Sequence, residues 1–200
     1  MAAEIKAFNR WTTEGIKVED PGLKDYINLN PKIMPKTGAR YAGARFHKSD
    51  IFIVERLINK LMVSGHKGKK HFISSGRNTG KALSAYSIVE DSFKAIEKRI
   101  NKNPIEVFVK AIENAAPREE IITIEYGGAR YPKAVEVSPQ RRIDIALRHM
   151  TQGVSHKSFD SKSSAVRNLV NEILNAYSLS PNSNAVTKKF QTERQADSSR

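Results

Sequence analysis

The chain has 200 residues, no cysteine, a hydrophobic fraction of 39% and a formal net charge of +13. Such a length fits one domain with tails and can bury a real core, the hydrophobic fraction excludes a wholly disordered basic tail, and the missing cysteines exclude disulfides, thiolate metal sites and thiol nucleophiles. A cation excess of this size implies a polyanionic partner, either nucleic acid or an acidic membrane surface.

In chain order, residues 1–31 read as a partly irregular extension. MAAEIKAFNRWTTEG has no apolar core of signal-peptide length, and no run approaches the roughly 18 apolar residues of a membrane span, so a cytoplasmic protein is expected. The next segment, KIMPKTGARYAGARFHK, holds five cations (Lys32, Lys36, Arg40, Arg45 and Lys48) and no acid. Ser49 is then placed to cap a helix carrying Ile51, Val54, Ile58 and Leu61, with Gly65 placed to end it. From Gly65 to Lys81 another five cations follow (Lys67, Lys69, Lys70, Arg77 and Lys81), again without an acid. Both basic segments are rich in Gly and Ser/Thr and lack a helical period, which predicts loops flanking one helix. Two solvated basic loops are the bland alternative, but tolerating this much self-repulsion on both sides of one helix points to a phosphate-binding surface. Tyr41, Phe46 and Phe72 lie among the cations, placed either to stack on bases or to anchor the loops.

From Ala82 to Ala116 the chain carries five charges of each sign, which cancel. Val89, Phe93, Ile96 and Ile100 mark one helical stripe there. Asn103, Pro104 and Glu106 then supply a cap, a first-turn proline and a capping-box acid for a helix through Phe108, Val109 and Ile112 that stops near Pro117. Beyond it the period changes to two: Ile122, Ile124 and Tyr126 alternate before Gly127 and Gly128, and Tyr131, Lys133, Val135 and Val137 alternate after them. This predicts a β-hairpin at about residues 120–137, and since an isolated hairpin is marginal in water, the arm is expected to protrude as a probe, with Arg130, Tyr131 and Lys133 near its tip, although the aliphatic alternation also allows a hairpin folded back onto the bundle.

Ser138 and Pro139 open another helix. On a wheel of about 100° per residue, Ile143, Ala146, Leu147 and Met150 share one arc, while Arg141, Arg142, Arg148 and His149 share the opposite one. One face packs and the other is cationic, with Ile145 among the cations as an apolar residue suited to a surface that a partner covers. A further long helix presents Val166, Leu169, Val170, Ile173 and Leu174, and residues 182–200 read as a polar tail or at most a short helix. The fold class is therefore mainly α: a helix bundle with a protruding β-hairpin arm between helices, spanning 32–181.

No enzyme signature survives inspection. GRNTGK, from Gly76 to Lys81, resembles a phosphate-binding loop, but its glycines are one residue too close and Ala82 replaces the Ser or Thr. Five histidines lack paired ligand spacing, so no metal is expected, and no cofactor. A helix-turn-helix DNA regulator would share the basic helices but poorly suits an intervening hairpin. A membrane-surface protein needs an amphipathic helix with aromatics opposite lysines, which the sequence lacks.

Several stretches together carry a family resemblance: IVERLINKLM (Ile53 to Met62), GRNTGK, NPIEVFVKAIENAAPRE (Asn103 to Glu119), GGARYPKAVEVSPQRRIDIALR (Gly127 to Arg148) and the terminal ERQADSSR. In order and spacing, from about Pro31 to Arg200, they resemble small-subunit ribosomal protein seven, in its archaeal and eukaryotic branch. The resemblance implies a structural protein that binds the 3′ major domain of small-subunit rRNA, nucleates assembly of the subunit head and lies near the exit-site tRNA and the mRNA path. It further implies ribosomal proteins nine and eleven as neighbours, and places Arg118, Arg130, Arg141 and Arg142 at the family's basic motif positions. Read together, the two loops, Arg118, Arg141, Arg142 and Arg148 would hold rRNA, and the hairpin residues Gly127, Gly128, Arg130, Tyr131 and Lys133 would reach toward tRNA or mRNA.

Overall fold

The computed structural model describes residues 5–63 and 79–200. A short helix α1 (Pro21–Lys24) and a 3-10 turn (His47–Asp50) precede α2 (Ile53–Leu61), α3 (Ala82–Ile100) and α4 (Pro104–Ala115). The strands β1 (Glu119–Tyr126) and β2 (Ala129–Glu136) follow, and then α5 (Pro139–Ser158), α6 (Ala165–Tyr177) and α7 (Asn184–Asp197). This is the expected helix bundle with a hairpin arm between helices.

The bundle is organised around α6, which packs against α3, α4, α5 and α7. Its buried side, Leu169, Val170 and Ile173, meets Val89, Phe93 and Ile96 of α3, Phe108 and Ile112 of α4, and Ile143, Leu147 and Met150 of α5 in one apolar cluster. The helix starts follow local chemistry. Asn103 caps α4 by accepting from the Ile105 N–H at 3.0 Å, with Pro104 in the first turn, as the sequence predicts. Its amide also donates to the Thr12 carbonyl at 2.7 Å, tying the N-terminal region to this end of the bundle.

The start of α2 differs from expectation. Ser49 does not cap α2: it lies in the 3-10 turn with a buried hydroxyl that has no hydrogen-bond partner among the described residues, and the helix starts at Ile53 behind a fully buried Phe52. The Ile53 N–H is satisfied instead by the Asn28 carbonyl at 3.0 Å, so a neighbouring backbone does the work expected of a side-chain cap. Within the partly irregular region that precedes α2, Ala7, Phe8, Trp11, Leu23 and Ile27 all enter the core. Trp11 and Phe8 meet Phe93 edge-on at 5.9 and 6.1 Å between ring centres. Finally, the polar stretch 182–200 contains the 14-residue α7, buried through Ala185, Val186 and Ala196. Its start is fixed by the fully buried Glu172, which accepts from the Ser183 hydroxyl at 2.8 Å and the Ala185 N–H at 3.0 Å.

The hairpin pairs antiparallel from Glu119↔Glu136 to Tyr126↔Ala129. Gly127 and Gly128 form its two-residue turn at φ of 57° and 82°, the left-handed pair that a primed turn demands and that glycine adopts without strain. Residues 122–133 are exposed on both faces, so the outer arm contributes nothing to the core.

Candidate nucleic-acid interface

Two helices and a turn build a basic groove. On α2, Arg56 and Lys60 are one turn apart, as are Asp144 and Arg148 on α5, and the two helices pack with these residues facing a cleft closed by His47 and Lys48. The cleft encloses about 680 Å³ and is also lined by Asn59, Thr151 and Gln152. Among the described residues Asp144 is the only acid along it. Its carboxylate accepts from Lys48 Nζ at 2.5 Å and Arg56 Nη2 at 3.3 Å. Burial pushes that carboxyl up, but the bond from Lys48 and the charges of Arg56, Lys48 and Lys60 outweigh it and hold it below the usual carboxylate range. Arg56 is only 5% exposed and also donates to the Tyr26 carbonyl at 3.3 Å, so it stiffens the groove floor.

One carboxylate cannot neutralise four cations. Lys60 has its pKa lowered by burial and by the nearby charges of Lys48, Arg148 and Arg56, against a partial offset from Asp144. Arg148 is exposed and has no ion pair among the described residues. A half-buried lysine and an unpaired arginine facing one cleft leave a positive potential that a phosphate would relieve.

The other predicted cations fall into distinct settings. In the first basic segment, Lys36 and Arg40 are exposed, Lys32 lies over the Tyr41 ring at 5.5 Å and Arg45 over the exposed Phe46 ring at 5.1 Å. Lys81 is exposed at the boundary of α3. Lys67, Lys69, Lys70 and Arg77, with Phe72, lie outside the described residues. At the root of the arm, Arg141 makes a bidentate pair with Glu120, Nε to Oε1 at 2.7 Å and Nη2 to Oε2 at 2.8 Å. Arg142 is 11% exposed, donating to Asp20 Oδ2 at 2.7 Å and to the Pro117 carbonyl at 3.1 Å. Arg141 and Arg142 of the cationic helix face are thus engaged within the chain, Arg142 as a clamp between the N-terminal region, the end of α4 and α5. Arg118 is exposed; its backbone N–H donates to Glu193 at 3.0 Å, which ties α7 to the arm's root, as does the ion pair of Arg200 with Glu119.

At the far end of the arm, Arg130 faces Glu125 across the strands at 3.8 Å, a loose and exposed pair, and Tyr131 and Lys133 are exposed beside it. Ile122, Ile124 and Tyr131 share one face, giving the arm an apolar side with a cationic edge. Among the described residues no cluster of His, Asp and Glu could hold a metal, and no helix is long and apolar enough to cross a membrane.

Sequence reasoning missed Arg56 and Lys60. Their i, i+4 spacing on the polar side of IVERLINKLM was the available signal, and only the packing of α5 alongside gives it meaning.

The family model described as ribosomal protein S7p/S5e matches residues 23–200. The small ribosomal subunit protein uS7 of Nanoarchaeum equitans is 54% identical over 197 residues, covering 98% of this chain and 100% of that protein. The uS7 protein of Archaeoglobus fulgidus is 44% identical over 197 residues, covering 98% of this chain and 96% of its own. Since the matched span takes in the groove, the arm and the terminal helix, the chain belongs to the ribosomal protein S7p/S5e family.

Proposed function

We propose that this member of the S7p/S5e family, a structural and non-enzymatic component of the cytoplasmic small ribosomal subunit, binds the 3′ major domain of the rRNA through the groove between α2 and α5 together with the first basic segment. The observation that carries the proposal is the surplus of Lys48, Arg56, Lys60 and Arg148 over the carboxylate of Asp144, in a cleft of about 680 Å³. A-form RNA hides its major-groove edges, so a rigid basic cleft recognises backbone geometry and loops. Of the cations named from sequence, Lys32, Lys36, Arg40, Arg45, Lys48, Lys81, Arg118 and Arg148 are available to phosphates, while Arg141 and Arg142 supply potential and hold the fold.

In this reading the arm reaches away from the rRNA-bound body. Its exposed tip, Gly127 to Lys133, is directed toward exit-site tRNA and the mRNA path, and the protein nucleates head assembly beside ribosomal proteins nine and eleven. The test is filter binding of the full chain to a 3′ major domain transcript across a salt series. Affinity is expected to fall with a log–log slope of several units, as several neutralised phosphates require. A flat response, or equal affinity for an unrelated structured RNA, would overturn the proposal.

A further inference from the structure

Phe46 is 53% exposed and sits at φ 59° and ψ 22°, in the left-handed region. Steric conflict with the side chain makes that region rare for bulky residues, whereas glycine and asparagine enter it readily. The turn holds the backbone there. The Phe46 carbonyl accepts from the Ser49 N–H at 2.9 Å, and the His47 N–H donates to the Ala44 carbonyl at 3.3 Å. Local geometry would therefore be better served by Asn or Gly, and packing does not ask for a ring, since more than half of the residue lies in solvent. Phe8 makes the contrast. It has a similar backbone, at φ 53°, but its ring is buried against Trp11, Tyr86 and Phe93, so the core accounts for it. At Phe46 the core does not.

The surroundings of Phe46 are cationic. The Arg45 guanidinium stands over its ring at 5.1 Å, and no acid occurs between Lys32 and Lys48. His47 and Lys48, the next two residues, line the basic groove, so the ring is shown to solvent beside the surface that attracts phosphates. A planar guanidinium on an aromatic ring is already a short stack, and every base has a π-face with which to extend it.

We propose that Arg45 and Phe46 form a stacking platform for one unpaired base of the bound RNA, adjoining the groove at Lys48. The inference deepens the rRNA-binding reading and rests on it. Stacking tolerates any base, so the platform selects an unstacked, single-stranded position more than a sequence. The cations favour RNA over a protein segment as the occupant. Each base arrives with a phosphate, whereas an apolar protein surface would cover Arg45 without a counter-charge.

Phe46→Asn separates a ring kept for the fold from a ring kept for a partner. Asn tolerates the left-handed backbone, so the free protein is expected to keep or raise its urea midpoint, while binding to a 3′ major domain transcript weakens about tenfold. The salt slope stays the same, because no cation is removed. Phe46→Leu, apolar but without a π-face, should lose affinity as well, and Phe46→Tyr should retain it. A lowered urea midpoint in Phe46→Asn would make the ring a loop anchor and overturn the inference, as would full affinity in either Phe46→Asn or Phe46→Leu. Those results leave wild-type rRNA binding intact; failure of the wild type to bind removes both readings. A second measurement keeps the ring in place. A benzophenone analogue of phenylalanine at position 46 is expected to crosslink to one unpaired nucleotide in reconstituted subunits. Crosslinks to a protein chain, or to paired rRNA alone, would overturn it.

Discussion

Arg142 and Asp20 are 122 residues apart in the chain and form a 2.7 Å ion pair that joins the N-terminal region to the start of α5. The guanidinium also holds the Pro117 carbonyl, so one side chain ties three segments at the root of the arm. Arg141, next to it, is 54% exposed and pairs only with Glu120. Arg142→Ala is therefore expected to lower unfolding free energy by about 2–3 kcal/mol, because it strands a carboxylate and a carbonyl in a mostly covered site. Arg141→Ala is expected to cost less than about 1 kcal/mol. Urea titrations of the two single variants check the contrast. A double Arg141→Ala, Arg142→Ala variant would confuse lost RNA contact with a loosened fold, so the single variants are the informative pair.

Acid stability follows from three groups. For Asp20, burial raises the carboxyl, but the bonds from Arg142 and Gly22 and the charges of Arg142 and Arg118 outweigh that, and its pKa is lowered; that of Asp144 is lowered as well. With folded-state values below unfolded ones, their contribution is complete above the ordinary carboxylate pKa of about 3.9 and is lost as pH falls through the folded values. His149 behaves differently: burial, then the charges of Arg148 and Lys188, lower its pKa, so below about 6.5 the unfolded chain takes up a proton that the folded chain refuses. Stability should thus decline in two steps, the first beginning near pH 6.5 and the second below about 4. Urea midpoints measured from pH 8 to 3 test this, and His149→Gln should remove the upper step alone.

Much of the fold was legible because local chemistry and pattern agreed. Asn103 with Pro104 starts α4, two glycines turn the arm, and the wheel of α5 assigns Ile143, Ala146, Leu147 and Met150 to the core. Legibility ended where the deciding partner was distant in sequence. Ser49 looked like a cap, but Asn28 supplies the acceptor for the start of α2. The terminal stretch read as a polar tail or at most a short helix because α7 buries only small apolar residues, its start being held by Glu172 of α6. In the interface, Arg148 and Lys48 were identified from charge alone. Arg142 showed the same charge, yet its side chain is enclosed by a segment 122 residues earlier.

Gly153 marks the close approach of α5 to the start of α7. A Cβ there would stand 2.7 Å from the Asn184 Cβ, and Asn184 is pinned by donating to the His149 carbonyl at 2.7 Å. Alanine normally favours a helix by up to about 1 kcal/mol over glycine, but here the clash is with an atom next to the backbone and cannot be relieved by rotating a side chain. Gly153→Ala is expected to be net destabilising by about 1–3 kcal/mol and to loosen α7, read as faster amide exchange in residues 184–197 than in α6. A stabilised Gly153→Ala would show that the two helices separate freely.

Lys60 and Arg148 provide the most direct reading of the groove, because neither holds the fold. Lys60 has its pKa lowered by burial and by surrounding cations, and Arg148 has no acid partner among the described residues. Removing both should relieve repulsion in the free protein, leaving its stability unchanged or slightly raised. In the complex each cation is expected to neutralise one phosphate, and each phosphate contact contributes about 0.7 to 0.9 to the salt slope. Lys60→Ala with Arg148→Ala is therefore expected to reduce the log–log slope by about 1.5 and to weaken binding most at low salt. Lys98 and Arg99, near the far end of α3, serve as the control pair, and their alanine variant should leave the slope in place. Equal slopes for the two double variants would mean that the groove faces no phosphate and that the RNA is held elsewhere on the surface.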